Sequence, residues 1–169
     1  SIANHLLNKG NIGLAYTYGE PVTWYEYVLD TARAAKKLDL KNIFVSNGFI
    51  NPEPLQEILP VMDAFNIDIK TMRPEAYRQI LNGDLSMVMQ TCKTIKEAGK
   101  HLEISTMLVS GFDSCLEDVE ALANFIAYEL GREVPLHLLN YTPNSKQHYL
   151  PAPEPVYLSN VFLYPNGLA

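Results

Sequence analysis

Cysteine is scarce: Cys92 and Cys115 are the two thiols in 169 residues. They lie far apart and fit no metal-ligand spacing, which excludes a disulfide framework as the main stabiliser. Two buried free thiols in a reducing cytoplasm are expected instead. Long apolar runs are also missing, and none nears the roughly 18 residues of a membrane span. The opening SIANHLLNKGN has no basic segment followed by an apolar one, so no signal peptide is expected. Basic excess is absent as well: Lys and Arg number 13 against 19 Asp and Glu, a net charge of -6. With no long basic run to neutralise phosphates, nucleic acid is not expected as a partner, nor is a membrane.

What is present is a globular composition, 47% hydrophobic and 19% charged, enough for one domain and short for two. Short apolar runs alternate with helical patterns. Strands are expected at Ile12–Tyr16, Asn42–Ser46, Asn66–Lys70, Leu102–Val109 and Pro135–Leu139. Between them, helical spacing covers Thr23–Leu38, Pro52–Met62, Pro74–Leu81, Asp84 to about Ala98, and Cys115–Tyr128. Thr23 with Glu26 reads as a capping box, and Trp24, Tyr27, Val28, Thr31, Ala34 and Ala35 share a face. Asp84 reads as a cap and Gly99 as a stop. The run from Ser110 to Ser114 reads as a loop. This alternation implies βαβ crossovers and a parallel sheet, an α/β class. After Asn140 the pattern dissolves into a proline-rich segment, with Val161–Tyr164 as a candidate short strand.

The polar residues gather at the C-terminal ends of the strands, where parallel α/β folds bind ligands. The first strand runs into Tyr18-Gly19-Glu20-Pro21 and the second into Ser46-Asn47-Gly48. The third ends in Asp68 and Lys70, the fourth holds Ser105 and Thr106, and the fifth holds His137. Both charge signs are available, which suits a zwitterionic small molecule. Each residue also has a plainer reading. Glu20 suits a solvated loop, and Asn47-Gly48 a simple turn. Asp68 and Lys70 flank Ile69 and share a face; outward, they form a surface pair worth little. A histidine between leucines is more often a satisfied core residue than a catalyst. His5, His101 and His148 have no ligand spacing.

In this order, Gly-Glu-Pro, Ser-Asn-Gly, Asp-x-Lys and the histidine strand resemble the radical S-adenosylmethionine family, in the branch similar to pyruvate formate-lyase activating enzymes. The resemblance covers roughly residues 10–155 and includes EISTMLVSGFDSCLEDVEALANFIA and PLHLLNYTPN. It implies a partial (β/α) barrel with S-adenosylmethionine at the strand C-termini. Gly19 and Glu20 match the segment that holds the cofactor's amino group, with Tyr18 in place of the family's first glycine. Asp68 and Lys70 match positions at the ribose or the methionine carboxylate. Ser46 and Asn47 match a cofactor-lining turn, Ser105 falls among the cofactor-binding positions, and His137 matches a histidine near the ribose.

The sequence departs from the family at one decisive point. The family holds a [4Fe-4S] cluster through C-x-x-x-C-x-x-C after its first strand, and no such motif occurs among these residues. The chain begins at what corresponds to the family's second strand, so Ile12–Tyr16 is expected as an exposed edge. Residues 1–157 read as an incomplete barrel domain, and 158–169 as a short tail or strand.

Three functions compete. The first is part of a radical enzyme that forms a 5′-deoxyadenosyl radical for hydrogen abstraction, with a glycyl radical enzyme as protein substrate and an electron donor as second partner; the cluster cysteines would then lie upstream. The second is a cluster-free S-adenosylmethionine-binding module, in which binding depends on Lys70. The third is a Schiff-base barrel enzyme using Lys70, which requires a desolvated, neutral amine.

Overall fold

A computed structural model describes residues 10–108 and 116–140. Five strands, β1 (Gly13–Tyr16), β2 (Lys41–Ser46), β3 (Ala64–Asp68), β4 (His101–Leu108) and β5 (Leu136–Asn140), form one sheet in the order β1-β2-β3-β4-β5. Every neighbouring pair is parallel. The strand order follows the sequence without reversal. Crossovers of one hand then stack their helices on a single face and leave the other face as a barrel interior. A doubly wound sheet would require the order to reverse. The fold is therefore α/β with a parallel sheet, as the alternating pattern implied, and a partial barrel, as the resemblance implied.

Period-two alternation decides which side chains meet the helices. Phe44, Phe65 and Leu102 lie level across three strands and are almost completely buried. Val45, Asn66 and Glu103, one position on, share the opposite, concave face. The Phe44 and Phe65 rings meet at 5.9 Å in a tilted pair, at the centre of the core.

The helices are α1 (Tyr25–Lys36), α2 (Pro52–Ile58), α3 (Pro74–Gln79), α4 (Leu85–Glu97) and α5 (Leu116–Phe125). Asp84 caps α4 by accepting from the Ser86 amide at 2.8 Å, as its position predicted. Leu55, Ile58, Leu59 and Met62 are all buried, although a tighter 3-10 turn takes over at Leu59.

The predicted capping box does not form. A 3-10 turn, Pro21–Trp24, precedes α1, and Glu20 caps it by accepting from the Val22 amide. Thr23 instead donates its hydroxyl to the Glu20 carbonyl at 2.7 Å. The inward face of α1 is Val28, Leu29, Ala32 and Ala35. Trp24 and Tyr27 face outward, stacked on each other at 6.0 Å, and Ala34 is exposed.

β3 starts and ends two residues earlier than its apolar run suggested. Its pairing with β2 begins at Ala64, and Lys70 lies just past the strand. Among the described residues β1 pairs with β2 alone and forms an edge, flanked by an exposed Ile12. The loop at 110–114, Cys115, the candidate strand Val161–Tyr164 and the proposed boundary at 157 lie outside the described residues.

Candidate functional site

The loop after β1 is fastened by Glu20. Its carboxylate accepts from the Ser46 hydroxyl at 2.7 Å, the Asn47 amide at 2.8 Å and the Val22 amide at 3.3 Å. Its carbonyl accepts from the Thr23 amide and from the Trp24 indole. Glu20 is thus no solvated loop carboxylate; it clasps the C-terminal ends of β1 and β2 together. A carboxylate has about four lone-pair positions, so acceptor capacity remains for a further donor.

This clasp requires unusual backbone. Tyr18 has φ 59° with its ring fully exposed, and Gly19 has φ 150°. The second value is open essentially to glycine alone. Gly48 has φ 73°, and a Cβ there would come within 2.8 Å of Ile67 Cγ2. The turn after β2 therefore seats directly on β3. The Asn47 side chain accepts from the Phe49 amide at 2.8 Å, and the Ser46 hydroxyl accepts from the Gly48 amide at 3.1 Å.

Asp68, Ser105 and His137 form one register row across β3, β4 and β5. Asp68 and Lys70 share the concave side, while Ile69 between them is buried. Lys70 forms an ion pair with Asp68 Oδ2. Asp68 Oδ1 is buried and has no hydrogen-bond partner among the described residues. Such an atom is costly unless something donates to it. Ser105 donates its hydroxyl to Asn66 Oδ1 at 2.8 Å. The His137 side chain is 47% exposed, so it is no core histidine. The structure thus brings Glu20, Ser46 and Asn47 into one hydrogen-bonded cluster with Gly19 in its loop, and pairs Lys70 with Asp68 at the end of β3. Ser105 and His137 share the register row of Asp68 but lie within β4 and β5 and bond to Asn66 and Glu103 instead. A cavity of about 160 Å³ opens beside Asn47 and Lys70 and is lined further by Phe49, Tyr77 and the Leu81–Gly83 turn.

Two polar residues on this face escaped sequence reasoning. Glu103 accepts from or shares protons with both His137 at 2.8 Å and His101 at 2.9 Å. The hydrogen bond from His101 draws its carboxyl below the ordinary range, partial burial opposes this, and the bond from His137 adds to it. Asn66, the partner of Ser105, is the second. The signal existed: His101, Glu103 and Ser105 occupy alternate positions between buried Leu102 and Ile104, which places all three on one face.

The residues do not fit a cluster. No group of three or more His, Cys, Asp or Glu among the described residues is arranged to hold a metal ion. Cys92 is fully buried in α4, and burial pushes its thiol up to about 12, away from the thiolate that ligates metal. No described helix is long and apolar enough to cross a membrane.

The family model described as the Radical SAM superfamily matches residues 2–126. An uncharacterised protein of Methanocaldococcus jannaschii is 37% identical over 144 residues, covering 85% of this chain and 42% of that protein. The pyruvate formate-lyase 1-activating enzyme of Escherichia coli is 24% identical over 159 residues, covering 93% of this chain and 64% of that enzyme. The chain therefore spans only about half the length of these curated relatives. Among solved structures, a domain of a pyruvate-formate lyase-activating enzyme from Bacteroides vulgatus superposes with a TM-score of 0.75 at 17% identity, covering 89% of this chain and 91% of that one. SuiB of Streptococcus suis, bound to S-adenosylmethionine, superposes with a TM-score of 0.72 at 12% identity, covering 91% of this chain and 36% of that one.

Proposed function

The chain belongs to the Radical SAM superfamily, and from that premise we propose that it supplies the S-adenosylmethionine-binding face of a radical enzyme similar to the activating proteins of glycyl radical enzymes. The observation that carries this reading is the buried, unpartnered Asp68 Oδ1 beside the Lys70 ammonium, at the C-terminal edge of the sheet. The cofactor offers matching groups: ribose hydroxyls that donate, a carboxylate that pairs with an ammonium, and an amino group that donates. Asp68 accepts from the ribose, and Lys70 pairs with the methionine carboxylate. Gly19 and Glu20 take the amino group, with Ser46 and Asn47 lining the turn. Ser105 and His137 border the ribose.

When held by these residues, S-adenosylmethionine would supply radical chemistry for hydrogen abstraction only together with a [4Fe-4S] cluster, for which the described residues offer no ligand set. Two cysteines cannot provide three thiolates, and Cys92 is in the core. The cluster ligands, on this reading, come from beyond these 169 residues. The substrate is a glycyl radical enzyme, and a separate protein donates the electron.

A Schiff base at Lys70 is not favoured. The amine is a paired ammonium whose side chain is 37% exposed, the opposite of a desolvated neutral nucleophile. Equilibrium dialysis of labelled S-adenosylmethionine against the chain tests the reading, alongside iron reconstitution of the whole gene product. Cofactor binding by the chain, with a cluster in the longer product, supports it. Binding with no cluster in either supports the cluster-free module. No binding in either removes both.

A further inference from the structure

Asp118 lies in the first turn of α5, outside every group considered so far. Its side chain is only 4% exposed. An acid in a first helical turn is ordinarily a solvated complement to the helix dipole. This one is buried and faces the loop after β3. Its Oδ2 accepts from the Thr71 hydroxyl at 2.7 Å, and its Oδ1 accepts from the Met72 amide at 2.7 Å. The Arg73 guanidinium stands 3.4 Å from Oδ2. Three consecutive residues of one loop therefore converge on a single carboxylate supplied by another crossover.

That loop carries Lys70. The Lys70 amide donates to the Tyr77 hydroxyl at 3.1 Å, so the residue is fixed on its other side by α3. The space between the loop and α5 is closed to about 10 Å³, room for one water at most. Without that clasp the segment after Lys70 would be held to the sheet by the Ile69 amide on the Ser105 carbonyl and by Tyr77 alone, and the exposed ion pair with Asp68 is too weak to fix the lysine by itself.

We propose that Asp118 is a positioning residue: through Thr71 and Met72 it sets the backbone that places the Lys70 ammonium beside Asp68. The inference rests on the assignment of Lys70 to the cofactor carboxylate and deepens it. Asp118 makes no contact with the cofactor, and its effect on binding passes wholly through Lys70.

The test is a double-mutant cycle on the chain, read by equilibrium dialysis of S-adenosylmethionine. Asp118→Ala is expected to raise Kd about tenfold, the order of a lost charge-assisted clasp. In a Lys70→Ala background the same change is expected to leave Kd within about twofold, because the residue it positions is gone. Amide exchange at Met72 is expected to accelerate in Asp118→Ala without added cofactor. If Asp118→Ala does not fold, Asp118→Asn retains an acceptor for Met72 and weakens the hold on Arg73, with a smaller rise in Kd expected. Equal effects of the Asp118 change in both backgrounds would show a general structural role and overturn the inference alone, as would an unchanged Kd in the single variant. Absence of binding by both the unaltered chain and the whole gene product would overturn the cofactor assignment and the inference with it; where only the whole product binds, the cycle is read on that protein.

Discussion

The Glu20 carboxylate and the Ser46 hydroxyl, on the ends of adjacent parallel strands, are joined at 2.7 Å. The Ser46 oxygen also accepts from the Gly48 amide at 3.1 Å, so one hydroxyl serves two loops. Ser46→Ala is expected to cost about 1–2 kcal/mol, since it leaves a part-buried carboxylate oxygen and a buried amide each short of a partner. Urea unfolding of the two proteins measures this. An unchanged midpoint would mean that water replaces the hydroxyl at no cost.

Lys70 and Asp68 carry little stability and, on the proposed function, much of the binding. Their side chains are 37% and 25% exposed, and pairs of this kind stabilise a fold by about 1 kcal/mol at most. Lys70→Met is expected to weaken S-adenosylmethionine binding about tenfold or more while shifting the unfolding midpoint little. Calorimetric titration and thermal melts on the same samples separate the two effects. A large loss of stability with unchanged affinity would make the pair structural.

Asn42 is the buried polar centre of the core. Its side-chain amide donates to the Ala32 and Val61 carbonyls, both at 3.0 Å, and its oxygen accepts from the Tyr16 hydroxyl at 3.0 Å. Burial pushes that phenol up to about 12. Asn42→Ala strands all three partners and is expected to cost about 3 kcal/mol. A loss below about 1 kcal/mol in chemical denaturation would contradict the shared role of these bonds.

Glu103 gives the fold a dependence on acid. Its carboxyl is lowered from 4.5, through the bond from His101 first. A group depressed in the folded state contributes stability that is complete above its unfolded value and lost as pH falls through the folded one. The contribution is therefore present at neutrality and fades below about pH 4.5. Glu103→Gln is expected to flatten the decline in stability between about pH 5 and about pH 3, measured by urea unfolding at each pH. An identical decline in both proteins would assign the acid sensitivity elsewhere.

The strand positions were legible because β-branched and aromatic runs such as Asn42–Ser46 stand out between helical patterns. The inward face of the first helix was not. The cap at Glu20 depends on Ser46 and Asn47, 26 and 27 residues away, and no local pattern records it. The Thr23–Glu26 capping box was a sound local motif overruled by a tertiary bond. The candidate site divided in the same way. Asp68 and Lys70 were readable as a same-face pair from their spacing, and the burial of Ile69 fixed which face. Glu103 was readable from alternation along β4. Asp118 was not, since an acid in a first helical turn is ordinary until a distant loop closes over it.

By itself the sequence determined the α/β class, the places of the strands along the chain and the gathering of polar residues toward their C-terminal ends, because periodicity and turn chemistry act over a few residues. It also determined that two cysteines cannot ligate a cluster of the family's kind. The tertiary structure alone decided which partners those polar residues take. It joined Glu20 to the second strand, left Asp68 Oδ1 without a donor among the described residues, and bound the Lys70 loop to Asp118, 47 residues on from Thr71. Hydrogen bonds of that reach depend on the register of parallel strands and the seating of crossover helices, which are set by packing across the whole sheet.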